Sequence, residues 1–106
     1  MSNRVVPDHL PLSLYKFFWD VDASKVNPVK SAQYVINRLL DKGDLEAVRW
    51  ILHTYPRESI KETLKHRLDF SPKTAVFWSR YLSVPREEVK CMQEPYYSLR
   101  RQHWQY

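Results

Sequence analysis

Proline marks the places in this chain where a helix must start or stop. Asn27-Pro28 and Ser71-Pro72 each set a capping residue before a proline. A proline is tolerated in a helix's first turn, because the N–H it lacks would be unpaired there anyway. Pro56 and Pro85 interrupt apolar patterns of helical period. The only glycine, Gly43, follows the first long apolar pattern, and Asp44 stands ready to cap the next. A lone glycine at that point predicts a left-handed residue just past a helix end. No segment alternates with strand period. The pattern predicts an all-α protein: a compact orthogonal bundle of four main helices, a short N-terminal helix and an irregular C-terminal tail.

The apolar stripes locate the expected core. Leu14, Phe17 and Phe18 share one face of a short helix over 12–19. Ala32, Val35, Ile36, Leu39 and Leu40 line a helix from Asn27 to about Lys42. Leu45, Val48, Ile51, Leu52 and Tyr55 are the inward face of the next, with Trp50 at its flank. Ile60, Leu64 and Leu68 recur four apart in the third. The fourth carries Ala75, Val76, Phe77, Trp78, Tyr81, Leu82 and Val84 around most of its cylinder. It is therefore either the central helix or one that offers a face to a partner. REEVKCM adds one more turn. The expected organisation is a flexible N-terminus over 1–11, one helical domain over 12–92 and an aromatic, basic tail over 93–106.

Composition removes several function classes. One glycine cannot build a phosphate cradle, which needs several residues free to take positive φ. Nucleotide-binding loops of the Rossmann and P-loop kinds are excluded on that ground. Seventeen basic against twelve acidic residues give +5, which permits an anionic partner without demanding one. The single cysteine, Cys91, allows no intrachain disulfide and suits a reducing, cytoplasmic setting. The N-terminal stretch lacks a signal-peptide pattern, and no apolar run approaches the ~18 residues of a membrane span.

The stretch FFWDVD, 17–22, raises the sharpest chemical question. Asp20 and Asp22 lie two apart, and on a strand they would hold a metal ion and a phosphate together. The glycine-serine loop and third carboxylate that such sites require are not visible. The alternative is structural: the aromatics anchor the segment and both aspartates bond backbone amides in the following turn. His9, His53, His66 and His103 show no ligand spacing. No catalytic, cofactor or metal site is expected, and the protein is not expected to be an enzyme.

Two surfaces point to binding instead. Arg57, Lys61 and Lys65 fall at helical spacing, but Glu58 and Glu62 run beside them, so a solvated charged face is expected. The third and fourth helices have helix-turn-helix proportions, with Lys73, Thr74 and Arg80 placed to touch nucleic acid. Val76 and Phe77 would make that recognition face unusually apolar. The tail holds Arg100, Arg101, His103, Trp104 and Tyr106, of the residue types enriched at interface hot spots. It either packs back on the bundle, with Trp104 as anchor, or meets a partner.

FFWDVD, the GDLEAVRW turn, SPKTAVFWSRYLSVPREEVKC and a late His-x-Trp form an ordered set. Together they resemble a family of short bacterial proteins of unknown function, over roughly residues 15 to 104. Genes for such proteins often lie just upstream of nucleotidyltransferase-like toxin genes. The resemblance thus implies an antitoxin or toxin-associated partner. The expected mechanism is occlusion of a nucleotidyltransferase-like toxin, with Arg100, Arg101, Trp104 and Tyr106 of the tail, and the outer face of the fourth helix, docking on it. A DNA-binding regulator using Lys73, Thr74 and Arg80 is the alternative. The resemblance also implies that FWDVD is a structural signature.

Overall fold

Val35, Ile36 and Leu39 repeat at helical spacing, and in the folded chain all three lose their solvent contact entirely. The helix they belong to, α1 (Ala32–Lys42), is the centre of the molecule. Around it lie α2 (Leu45–Thr54), α3 (Arg57–His66) and α4 (Pro72–Tyr81). Short 3-10 turns occur at Leu12–Phe17, Ala23–Lys25, Arg86–Glu88 and Lys90–Met92. The computed structural model describes residues 6–93, and among these there is no strand. The architecture is an all-α bundle.

α1 packs against α2, α3 and the Leu12–Phe17 turn, while α3 also meets α4. The shared core joins Leu14 and Phe18 to Ile51, Tyr55, Ile60, Leu64, Phe70, Leu82 and Val89. Each such side chain contributes about 1.5–3 kcal/mol on leaving water. The core begins ahead of residue 12: Leu10 is buried and Val6 packs against it. Tyr55 is buried with its hydroxyl donating to the Pro28 carbonyl at 2.7 Å, and burial pushes its pKa up. Among the described residues no helix is long and apolar enough to cross a membrane.

Helix starts follow the sequence with one shift. Asn27 does cap, its Oδ1 accepting from the Val29 and Lys30 amides at 2.9 and 3.1 Å. It caps only an isolated turn, however. Ser31 leaves the helical region at φ −112°, ψ 40°, so α1 begins at Ala32 rather than at Pro28. Asp44 caps α2 as expected, accepting from the Ala47 amide at 3.0 Å.

Gly43 departs from expectation. Its φ of −79° and ψ of 167° are extended, not left-handed. The residue must still be small: an added Cβ would land on the Leu39 carbonyl and 2.6 Å from Ala47 Cβ. The left-handed position belongs instead to Ser83, at φ 57°, where the chain turns after α4.

That close approach of α1 and α2 also moves the inward face of α2. Ala47, Ile51 and Tyr55 face the core, and Leu45 is left outside. Leu68 is exposed too, because α3 stops at His66 and Arg67 becomes extended. α4 is not the central helix. Ala75, Trp78 and Leu82 face inward, and Phe77 and Tyr81 face out.

Candidate functional site

The FFWDVD segment is resolved by a residue that its own sequence does not contain. Phe18 is buried at 1% exposure and holds the segment on the core. Trp19 points outward. Arg38, on α1, reaches across and donates to both Asp20 oxygens, at 2.8 and 3.0 Å. It donates as well to the Phe17 carbonyl at 3.1 Å and lies 3.1 Å from the Tyr34 hydroxyl. Its guanidinium sits 4.9 Å from the Trp19 ring centre, with the Phe18 and Tyr34 rings at 5.6 and 5.3 Å. Planar, delocalised and weakly hydrated, arginine suits such an aromatic cage better than lysine would.

Both aspartates are therefore engaged. The guanidinium beside Asp20 holds its carboxyl below the usual carboxylate range. Asp22 accepts from the Ser24 hydroxyl at 2.6 Å and the Ser24 amide at 3.1 Å, which lowers its pKa likewise. The expectation that both bond backbone amides holds for Asp22. Asp20 instead pairs with a side chain eighteen residues on. Among the described residues, no group of three or more His, Cys, Asp and Glu is gathered as a metal site.

Two basic residues of α3, Arg57 and Lys65, are tied into the fold. Arg57 donates to the Tyr81 carbonyl at the end of α4, at 3.3 Å. That placement favours the negative end of the helix dipole. Lys65 reaches Glu88 at 3.1 Å and Glu62 at 4.0 Å, and the Glu88 contact raises its pKa. A further ion pair, Lys16–Asp44 at 3.6 Å, ties the first turn to the start of α2.

The α4 side is arranged differently. Ser71 gives its amide and hydroxyl to Asp41, at 3.1 and 2.8 Å, and its hydroxyl also lies 2.9 Å from that of Thr74. Ser71 thus docks the start of α4 onto α1, and its side chain makes no capping bond to the helix backbone. Thr74 is half-buried and engaged in this junction, so it stands apart from the exposed Lys73 and Arg80 with which the sequence grouped it. The structure brings Lys73 and Arg80 onto one outer face with Phe77 and Tyr81, two members of the apolar set that left a central helix and a partner-facing one both open. Phe77 is 57% exposed and Tyr81 50%. Their rings run nearly parallel, 13° apart with centres at 6.2 Å. Both contact Trp78 edge-on, at 5.1 Å.

Beside Arg80 runs a groove of about 330 Å³, lined by Val76, Ser79, Arg80, Val84, Arg86 and Met92. Arg100, Arg101, Trp104 and Tyr106 lie outside the described residues.

Residues 14–64 match the model of a Family of unknown function (DUF6922). No curated protein and no solved structure shows significant similarity to the chain. The matched span holds FFWDVD, its partner Arg38 and the Gly43-Asp44 junction. It stops before α4, so the TAVFW and YLSVPREEVKC motifs lie beyond it.

Proposed function

We propose that the chain is a protein-binding module that neutralises a partner enzyme by occlusion. A nucleotidyltransferase-like toxin is the partner that the sequence resemblance implies, and the cytoplasm is the setting. The supporting observation is the outer face of α4, where two large aromatics stand half or more exposed on successive turns. An ordinary solvated helix keeps such positions polar; contiguous exposed aromatics are characteristic of interaction surfaces. The FFWDVD cluster adds no chemistry, since both its carboxylates are engaged in holding the fold.

The test is a pull-down from native lysate with the tagged full chain, beside a chain truncated after Glu94. A nucleotidyltransferase-like protein held by the full chain supports the reading. Its loss on truncation would assign a share of binding to Arg100, Arg101, Trp104 and Tyr106. No protein partner, with salt-sensitive nucleic acid recovered instead, would overturn it.

DNA binding through α4 keeps one supporting observation, the exposure of Lys73 and Arg80 on one helix. It predicts a steep salt dependence of binding to upstream DNA, abolished by Lys73→Glu with Arg80→Glu.

A further inference from the structure

We infer that the α4 face and its neighbouring groove dock an acidic segment of a protein partner that carries aromatic or aliphatic side chains. The inference rests on the protein-binding reading and gives that surface its place and its chemistry. Charge complementarity is the first argument. α4 carries Lys73 and Arg80 and no acidic residue. Arg86 joins Arg80 on the groove, where Val76, Val84 and Met92 supply apolar lining. Asp69 stands three residues before α4 and is paired with Arg67, and Glu87 and Glu88 lie on the following turn, with Glu88 paired with Lys65. Arginine on an apolar floor suits a carboxylate flanked by hydrophobic side chains, because its fork donates two parallel hydrogen bonds.

The geometry of the aromatic pair argues for protein over nucleic acid. Phe77 and Tyr81 already stack on one another, with their edge contacts to Trp78 fixing the arrangement. They present an aromatic patch, half or more exposed, on successive turns of the helix. Single-strand binders combine open stacking platforms with a basic track along the backbone. Here the exposed cations on the helix are two. Hot spots, by contrast, join aromatic anchors to arginine at the centre of a patch.

The experiment uses the full chain, isotope-labelled, with amide shifts followed by NMR. A random glutamate–tyrosine copolymer is titrated in, and single-stranded oligothymidylate of matched charge is titrated in parallel. The copolymer is expected to move amides across 73–86. Arg80→Glu and Phe77→Ala should each weaken it about tenfold or more. Both side chains are exposed, so the melting temperature should hold, and that control separates lost docking from lost folding. Copolymer that leaves α4 unmoved, or oligothymidylate that binds the same amides more tightly, would overturn the inference. A failed copolymer titration beside a successful pull-down removes this surface and keeps the protein-binding reading. Copolymer binding at α4 with no nucleotidyltransferase-like protein captured supports the surface and removes the toxin partner.

Discussion

Truncating Arg38 removes more than a charge. The Phe17 carbonyl, the Asp20 carboxylate and three aromatic rings lose a shared partner together. Arg38→Ala should therefore destabilise the protein by about 2–3 kcal/mol, read from urea unfolding. Arg38→Lys should recover only part of that loss, because an ammonium cannot serve both Asp20 oxygens and lie flat on a ring. Full recovery by lysine would show that charge alone matters.

Acid should act on the same residues. The native pKa values of Asp20, Asp22 and Asp44 are all lowered, by Arg38, by Ser24 and by the Ala47 amide respectively. Unfolded carboxylates take up protons near about pH 4. The native state resists that protonation, so its advantage is whole above about pH 4 and is lost as pH falls through the lowered native values. The melting temperature should drop over that range, and less so in Arg38→Ala. A melting temperature that rose on acidification would contradict the assignment. Magnesium or manganese at millimolar concentration should leave the melting temperature unchanged, since a metal bound only to the folded state must stabilise it.

At the scale of elements, Gly43 and Ser83 show how alike two turn residues look in sequence. Gly43→Ala should cost about 1–3 kcal/mol, because the new methyl meets the Leu39 carbonyl and Ala47 at the α1–α2 junction. Ser83→Gly should be neutral or stabilising by up to about 1 kcal/mol, because a left-handed φ is unfavourable for a residue with a Cβ. Chemical denaturation of the two variants checks both signs.

Helix number, order and most boundaries were legible, because caps and apolar period are local. Asp44 could be placed from its neighbours alone. The face that α2 turns inward could not, since it depends on how closely α1 approaches Ala47. Asp20 was legible as a structural residue but its partner was not. Nothing near Arg38 announces a contact with a turn eighteen residues earlier. The α4 face was half legible. Its excess of apolar residues could mean a central position or an exposed surface, and only packing decides between them.

For the whole molecule, the structure separates two kinds of residue that the sequence shows side by side. One set, running from Phe17 to Arg38 and on to the Gly43–Asp44 junction, holds the bundle together and lies within the matched span 14–64. The other, Lys73, Phe77, Arg80 and Tyr81 on α4, lies outside that span and is exposed, while Ala75 and Trp78 of the same helix, and Leu82 at its end, stay in the core. On the proposed reading, scaffold and contact surface occupy different faces of the bundle, and on α4 different faces of one helix. Partner-binding variants of α4 should then be stable, and scaffold variants that still fold should still bind.

The most direct measurement is the affinity of three matched chains for the proposed nucleotidyltransferase-like partner: the parent, Phe77→Glu and Asp22→Asn. Asparagine still caps the turn after Asp22, but it withdraws the carboxylate that a metal site would need. Phe77→Glu is expected to lose at least about tenfold in affinity with its melting temperature unchanged, while Asp22→Asn binds like the parent. Tight binding retained by Phe77→Glu and lost by Asp22→Asn would contradict that expectation, and would return function to the FFWDVD segment.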